Sequence, residues 1–326
     1  MHRLVLSNLF RRMGVPIEIP AQMAYCQDMA EFNNISELKA LAPWKKQGTV
    51  VFMSDFGTAD GAVSAMHGVV AEVCRDLRVE DLTHEIPQFN IWEASYRLIQ
   101  TMIYWPAGTV FVCVIDPGVG SERDSVVALT RSGHIVVTPD NGTLSHVAKR
   151  LGILERRRIT ESENRLKDSQ RSFTFHGRDI FAYTGARLAS GQIEYEDVGP
   201  VLEGMPTMLN VEDPIVRDGE IIGTIEILDT RYGSLWTNIP DTLFFSLGID
   251  YGDSVRVLIS NDKRIVYGYT VKVCRNFAEV AIGEPLLYIN SLLNVGLALN
   301  QGDFAKTYSI GTGDHWHIKL CKENLR

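Results

Sequence analysis

Three residues of this sequence carry side chains that could together hold and polarise one water molecule: Asp116, Arg123 and His176. Asp116 ends the apolar run VFVCVI and begins the glycine-rich turn that leads to Arg123, and His176 lies in the segment FHGR. A carboxylate, a guanidinium and an imidazole can orient a water and stabilise developing negative charge. Because no serine in a nucleophile elbow accompanies them, the pattern favours attack by water over covalent catalysis.

Aspartates end three predicted strands, in the segments SDFG (Asp55), DPGVG (Asp116) and PDNG (Asp140). The carboxyl ends of strands in an alternating α/β sheet gather at one edge, which is where ligands bind. A single aspartate at such a point more often caps the next helix or forms an Asx turn. Three in succession favour a functional site at this edge.

Strand-like and helix-like patterns alternate from residue 49 to about residue 191. The strand TVVFMS precedes a helix with Val63, Met66, Val70 and Val73 on one face. The further predicted elements are the strand VEDLTHEIP, a helix from Trp92 to Trp105, the strands SVVALTR and HIVVTPDNG, a helix from about Thr143, and a strand, a turn at His176 and a helix in FTFHGRDIFAYTGARLASG. We interpret the charged run at 155–171 as a solvated loop. The alternation predicts an N-terminal α/β domain with a mostly parallel central sheet.

A second, all-β domain is predicted beyond a proline-containing stretch. Helical patterns disappear there, and short strand-like runs such as IIGTIEIL, SVRVLIS and HWHIKL are separated by Gly, Asn and Asp. The predicted organisation is an accessory extension at 1–47, the catalytic α/β domain at 48–200, a linker at 201–214 and a C-terminal β-barrel domain at 215–326.

The composition excludes several classes of protein. A formal net charge of -8 disfavours sequence-independent binding to nucleic acid, which needs clustered Lys and Arg. Five scattered cysteines without a CxxC pair indicate neither a disulfide framework nor a zinc knuckle, so a reducing cytoplasm is the simplest compartment. The N-terminus lacks the apolar region of a signal peptide, and no run of about 18 apolar residues predicts a membrane span.

Cofactor and metal motifs are missing from the sequence pattern. DPGVG does not complete GxGxxG, and there is no Walker lysine motif. The histidines of HEIP and HWH are isolated from other ligand patterns, so we expect a structural role for His315 and His317 and no metal site. We expect no cofactor.

Six ordered motifs carry a resemblance to a known family: SDFGTADGAV, DLTHEIP, GTVFVCVIDPGVGSER, VVTPDNG, FHGRDIF and DTRYGSLWTNI. They resemble the S-adenosylmethionine (SAM) hydroxide adenosyltransferases, also called SAM hydrolases, which are relatives of the fluorinases and chlorinases. The resemblance runs from about Thr49 to the C-terminus. It implies an α/β domain followed by a β-barrel, and a homotrimer that binds substrate between the N-terminal domain of one subunit and the C-terminal domain of its neighbour.

The activity implied by the resemblance is hydrolysis of SAM to adenosine and L-methionine by attack of water on the ribose 5′ carbon. The family's catalytic Asp, Arg and His fall on Asp116, Arg123 and His176. The implied substrate contacts are Asp55 for the ribose hydroxyls, Asp60 for the methionine end, Phe89 for stacking beside the nucleoside, Phe175 in the reaction pocket, Asp229 for the methionine ammonium, Trp236 as a wall of the adenine pocket, and Ser291 for the methionine carboxylate or the nucleoside.

Two positions depart from the family pattern. Tyr232, Gly233 and Ser234 stand where Phe-Gly-Asn is frequent, so an adenine contact made by an amide would be replaced by a shorter side chain or a bridging water. Leu292 stands where the halogenases have an arginine after the serine.

The chain keeps Asp116, Arg123 and His176, and the resemblance implies that the halogenases replace two of them, Asp116 and His176. Halogenases carry a tyrosine at the position of Asp116 and a tyrosine and serine in place of the histidine and glycine of FHG. The sequence therefore predicts delivery of water and not of halide. A halide-dependent SAM halogenase and a non-catalytic sensor of SAM or adenosine are the alternative hypotheses.

The chemistry of the leaving group indicates which steps of the reaction the active site must catalyse. A sulfonium departs as a neutral thioether and needs no general acid, so aligning and activating the water are the difficult steps. Arg123 and a protonated or hydrogen-bond-donating His176 can stabilise developing hydroxide, while Asp116 orients the water. An arginine beside Asp116 makes that carboxylate a poor base, which favours alignment and electrostatics over proton abstraction.

Overall fold

The first domain contains a six-stranded sheet between two layers of helices. The computed structural model describes residues 48–262 and 264–322, so the predicted extension at 1–47 lies outside the described residues. The strands are β1 (Thr49–Ser54), β2 (Arg78–Thr83), β3 (Val110–Val114), β4 (Ser125–Thr130), β5 (Ile135–Pro139) and β6 (Ile153–Arg158), and the helices are α1 (Ala62–Val73), α2 (Ile91–Met102), α3 (Ser145–Arg150) and α4 (Tyr183–Ser190). The strand order is β2-β1-β3-β5-β4-β6.

Both faces of this sheet are covered, which explains why its central strands are continuously apolar. Val50 and Val112 point to one face, in a core shared with α1 and α4, while Val51 and Phe111 point to the other face, in a core shared with α2 and α3. Strands β2, β1, β3 and β5 are parallel, whereas β4 runs antiparallel to β5 and β6. The prediction of a mostly parallel α/β domain is confirmed.

Two local predictions in this domain were wrong. The charged run was interpreted as a loop, but its first four residues, 155–158, belong to β6, which pairs with β4. The buried side chain of Arg156 forms an ion pair with Asp140 there, so a charged residue contributes to the interior because it has a partner. No strand forms in the segment FTF before His176; the backbone is irregular and passes directly into a helix.

The second domain is a closed β-barrel, as predicted. Its strands are β7 (Ile215–Arg217), β8 (Glu220–Leu228), β9 (Leu235–Pro240), β10 (Ser254–Asn261), β11 (Arg264–Val273), β12 (Pro285–Ile289), β13 (Asn294–Leu299) and β14 (Trp316–Lys322), with short helices α5 (Asp241–Ser246) and α6 (Phe304–Tyr308). Strands β8 to β14 close in the order β14-β10-β11-β12-β13-β9-β8, with β8 pairing back to β14 and β7 added outside β8. All pairings are antiparallel except β11 with β12.

Direct hydrogen bonds connect the two domains. Trp92 Nε1 donates to the Glu226 carbonyl at 2.7 Å, and Arg97 Nη2 donates to the Leu228 carbonyl at 2.7 Å. Asp140 accepts from the Thr207 amide at 2.9 Å, so this third strand-ending aspartate anchors the connecting segment. Within residues 48–262 and 264–322, no helix has the length and apolar character needed to cross a membrane.

Candidate active site

The sheet topology delivers Asp116 and Arg123 to the same edge. β3 ends at Val114, and Asp116 follows its carboxyl end. The chain then turns through Gly120, whose φ of 76° is a left-handed conformation that glycine adopts without strain. Because β4 is antiparallel to β5, which runs parallel to β3, its first residue, Ser125, also lies at this edge, and Arg123 arrives just before it.

Asp116, Arg123 and His176 converge in the structure. Arg123 Nε donates to both carboxylate oxygens of Asp116, at 2.9 and 3.1 Å, and its Nη2 also contacts Oδ2. The same Nη2 lies 3.3 Å from Nδ1 of His176. The side chains of Asp116 and Arg123 are only 5% and 11% exposed. The carboxylate and guanidinium therefore form a fork-like charged pair, one end of which faces the imidazole.

A π-helical turn at Gly177–Ala182 leads from His176 into α4. Gly177 allows this turn to approach β1 and β3 closely, because a Cβ there would lie 3.1 Å from the Phe56 ring and 3.3 Å from Val114 Cγ1. Single π turns inside helices are frequent at functional sites. The small residue after the histidine thus sets how deeply His176 sits against the sheet.

Three residues that the sequence did not single out complete a hydrogen-bond network around Arg123 and His176. Arg123 Nη1 donates to Ser125 Oγ at 2.8 Å, and Ser125 Oγ donates to Glu161 Oε1 at 3.1 Å. Glu161 pairs with Arg165 at 3.0 Å, and Arg165 Nη2 lies 3.5 Å from His176 Nε2. Glu161 and Arg165 were inside the run interpreted as solvated loop. Their opposite charges four positions apart were the available signal.

The surroundings of His176 favour its neutral form. Burial lowers the pKa of His176 below its ordinary value of 6.5, and the positive charges of Arg123 and Arg165 lower it further, while the carboxylates of Glu161 and Asp116 partly oppose this. Its two ring nitrogens both face guanidinium groups. The protonated form considered from the sequence is therefore disfavoured, and a neutral imidazole is the form to consider near neutral pH.

These opposing charges predict how the pKa of His176 changes in the variant Glu161→Gln. Removing the carboxylate that raises the pKa of His176 should lower it further, so the midpoint of the His176 Cε1–H titration measured by NMR should move to lower pH. The exposed neighbour Glu163 offers the control, since Glu163→Gln should leave the midpoint unchanged. An unchanged or higher midpoint in Glu161→Gln would contradict this account.

Because the pKa of His176 is lowered in the folded chain, its contribution to folding stability depends on pH in a predictable direction. Well above pH 6.5 the imidazole is neutral in both the folded and the unfolded chain. As the pH falls below that value the unfolded chain takes up a proton first, so the contribution of His176 to stability is lost progressively down to its folded pKa.

Three of the other predicted residues of the first domain lie in the loops after β1 and β2, and the fourth, Phe175, directly precedes His176. Asp55 is half-buried and its Oδ2 accepts from the Phe89 amide at 2.9 Å. The Phe89 side chain is 65% exposed, on a backbone with a φ of 65°. Asp60 is exposed and accepts from the Ala62 amide at 2.9 Å, next to the start of α1. Phe175 packs edge-on against Phe56, with ring centroids 5.8 Å apart.

The predicted residues of the second domain share one cavity of about 1000 Å³. Asp229, Ser234, Trp236 and Ser291 all line it, and Trp236 Nε1 donates to Tyr288 Oη at 3.0 Å. Every residue that lines this cavity in the described part of the chain belongs to the second domain, whereas Asp116, Arg123 and His176 belong to the first. The single chain therefore carries two separate groups of predicted residues.

The turn that carries Asp229 is tightly constrained. Asp229 Oδ1 accepts from the amides of Arg231 and Tyr232, at 3.1 and 3.3 Å. Gly233 follows with a φ of 64°, and a Cβ at this position would collide with the carboxylate of Asp303. The Ser234 side chain is buried beside this turn, where the sequence departs from the Phe-Gly-Asn pattern. Gly233 is required here both for its backbone conformation and for space.

Comparison with known proteins agrees with the arrangement of the two domains. The model of the SAM hydroxide adenosyltransferase N-terminal domain matches residues 50–199, and that of the C-terminal domain matches residues 223–317. The chain belongs to the SAM hydroxide adenosyltransferase family. Among its relatives in this family are two proteins named (R)-S-adenosyl-L-methionine hydrolase. The one from Salinispora tropica is 34% identical over 86% of this chain and 98% of its own length, and the one from Methanocaldococcus jannaschii is 43% identical over 71% and 80%.

A solved structure resembles this SAM hydroxide adenosyltransferase family member over both domains. It is described as an uncharacterized conserved protein from Thermotoga maritima, with a TM-score of 0.76 and 35% sequence identity. The similarity covers 84% of this chain and 100% of the other. The fold described above is thus shared with an experimentally determined structure.

Proposed function

We infer that this protein hydrolyses S-adenosyl-L-methionine to adenosine and L-methionine. The observation that carries the inference is the convergence of Asp116, Arg123 and His176 at the carboxyl edge of the sheet, in a chain whose relatives in Salinispora tropica and Methanocaldococcus jannaschii are named as hydrolases of this substrate. A guanidinium, a carboxylate and a neutral imidazole suit a reaction in which water is the nucleophile.

The reaction is a displacement at the ribose 5′ carbon. The water oxygen forms a bond to that carbon while the bond from carbon to sulfur breaks, and the electron pair stays on sulfur as methionine leaves as a neutral thioether. The water loses a proton to solvent or to a neighbouring base. We propose that the reaction needs no cofactor, because the leaving group is already activated by its positive charge.

We propose that Asp116 and Arg123 act mainly by alignment and electrostatics. Both carboxylate oxygens of Asp116 already accept hydrogen bonds from Arg123, which leaves this carboxylate better suited to orient a water than to take its proton. A neutral His176 has one nitrogen that can accept a hydrogen bond from a neighbouring guanidinium group, and its other nitrogen carries the N–H. Placement of the water behind the carbon then supplies much of the rate enhancement.

The proposed substrate contacts divide between the two domains. Asp55 would hold the ribose hydroxyls, Asp60 the methionine end, Phe89 the face of the nucleoside and Phe175 the wall of the reaction pocket. From the second domain, Asp229 would bind the methionine ammonium, Trp236 and Ser234 would border the adenine, and Ser291 would contact the carboxylate or the nucleoside. The constrained turn around Asp229 and the shared cavity support these roles.

We propose that a cytoplasmic homotrimer completes each site with the first domain of one subunit and the second domain of its neighbour. The separation of the predicted residues into two groups within one chain supports this, as does the exposed aromatic ring of Phe89. A closed ring with a repeated head-to-tail interface gives three equivalent sites.

The proposed reaction is tested by incubating the full-length protein with SAM in water enriched in ¹⁸O. We expect adenosine and methionine in equal amounts, with ¹⁸O in the 5′ hydroxyl of adenosine, as measured by liquid chromatography and mass spectrometry. A 5′-halo nucleoside formed on addition of chloride or fluoride would overturn the proposal in favour of halogenation. Tight binding of SAM without turnover would overturn it in favour of a sensor.

Subunit complementation should reveal sites shared between subunits. Asp116→Asn and Asp229→Ala should each be inactive as homo-oligomers, whereas co-expression should restore about a quarter of the wild-type sites if each site combines two subunits. Activity of the co-expressed mixture relative to wild type is the measurement, with the oligomer mass determined by light scattering. A mixture as inactive as its parents would show that each site is built within one subunit.

A further inference from the structure

Two histidines and an aspartate form a compact cluster on the first domain, and none of the three is among the residues assigned to the candidate active site. His67 lies on α1, Asp81 on β2, and His84 immediately after β2. One ligand atom from each of the three lies within 4.8 Å of the other two. The sequence did not predict this cluster, because its members come from separate elements and match no metal-ligand spacing.

Two of the three distances between the donor atoms are slightly shorter than those of a tetrahedral metal site, and the third is within 4.8 Å. His67 Nε2 lies 2.9 Å from Asp81 Oδ1, and His84 Nε2 lies 3.1 Å from the same oxygen. Ligands bonded to zinc at about 2.0 to 2.1 Å in tetrahedral geometry are separated by roughly 3.3 Å. Only small side-chain movements are therefore needed for the three atoms to surround one ion.

His84 provides a second and independent indication of a ligand. Its side chain is 2% exposed, yet among the described residues its Nε2 makes no hydrogen bond, since the approach to Asp81 lacks hydrogen-bonding geometry. The nearest polar atom to this buried nitrogen, Asp81 Oδ1 at 3.1 Å, is not aligned for a hydrogen bond, so the nitrogen is poorly satisfied. This nitrogen is directed at the cluster, so an ion bound there would satisfy it.

The atoms behind the cluster hold the imidazoles in place. His84 Nδ1 lies 2.7 Å from Ser54 Oγ, which also accepts from the Phe56 amide at 3.3 Å. If Nδ1–H donates to Ser54, Nε2 presents its lone pair to the cluster, which is the usual arrangement behind a metal-bound histidine. The His67 ring stacks on Phe52, with centroids 5.5 Å apart. Both ligating rings are thus oriented by the first strand of the sheet.

We propose that His67, Asp81 and His84 form a binding site for a divalent transition-metal ion, with zinc as the ion to test first. Two imidazoles and a carboxylate suit zinc, whereas calcium and magnesium prefer oxygen ligands alone. The side chains of His67 and Asp81 are 36% and 41% exposed, which leaves room for water at the remaining coordination position. The ion would fasten α1 to the loop after β2, next to the turn that carries Asp55.

Zinc binding to the full-length protein tests the proposal, with any affinity tag removed and metals stripped by a chelator. Isothermal titration should show one zinc ion per chain with micromolar or tighter affinity, and His67→Gln or Asp81→Asn should weaken it by at least about tenfold. Zinc should also raise the unfolding temperature of the wild type but not of His67→Gln. Both replaced side chains are partly exposed, so these variants should fold without zinc.

A second histidine cluster on the same chain offers a matched control. His315 Nδ1 and His317 Nε2 lie 2.6 and 3.5 Å from the carboxylate of Asp262, and the residue types are the same. The double variant His315→Gln/His317→Gln should keep the wild-type zinc affinity. The proposal is overturned if this control loses zinc binding, if His67→Gln retains it, or if the wild type binds less than one ion per chain.

Discussion

Asp116→Asn is expected to lower kcat for SAM hydrolysis by about 10²- to 10³-fold, the usual cost of removing one preorganised electrostatic contact to the reacting atoms. The amide preserves the shape of the side chain but removes its charge and gives Arg123 a donor where it now has an acceptor. The water would then lose its orienting group. Adenosine formation at saturating SAM is the measurement.

Asp124 supplies the control for this variant. It lies in the same loop and also pairs with an arginine, Arg158, but at the surface. Asp124→Asn should therefore retain a kcat close to that of the wild type. If Asp116→Asn kept wild-type turnover, Asp116 would have no part in handling water, and the mechanism proposed above would fail.

Arg123→Met is expected to destabilise the first domain by about 3 to 5 kcal/mol, because it leaves the buried carboxylate of Asp116 without its partner. Asp116 and Arg123 are 5% and 11% exposed, so little water is available to replace the lost hydrogen bonds. Methionine keeps much of the apolar volume of the arginine side chain. The loss of stability is thus assigned to charge and hydrogen bonding more than to packing.

The exposed pair of Asp124 and Arg158 is the control for the destabilisation expected in Arg123→Met. Arg158 contacts Asp124 at 2.6 Å, but the two side chains are 51% and 32% exposed. Solvated pairs of this kind contribute little, so Arg158→Met should leave the unfolding transition unchanged. The urea midpoint of the first domain, compared at one protein concentration, measures both variants. Equal midpoints for Arg123→Met and Arg158→Met would contradict the importance of the buried pair.

The apolar periodicity of the sequence was sufficient to predict both architectures. A run such as VFVCV is typical of a strand covered on both faces, as in the centre of a parallel α/β sheet, and this is where β3 lies. After residue 214 helical periodicity is absent and short strand-like runs are separated by Gly, Asn and Asp, and this pattern predicted the barrel. The pattern failed at 155–158, because an arginine that finds a buried carboxylate partner across the sheet has the same local sequence as one in solvent.

The sequence by itself predicted that Asp116, Arg123 and His176 come together, since strand ends, glycine turns and an ordered set of motifs are local properties of the chain. Only the tertiary structure brought Glu161 and Arg165 to His176 and made His67, Asp81 and His84 neighbours. These contacts depend on the register between strands and on the packing of α1 against the sheet. Such contacts depend on how loops and elements pack together, so the spacing of residues along the chain carries little information about them.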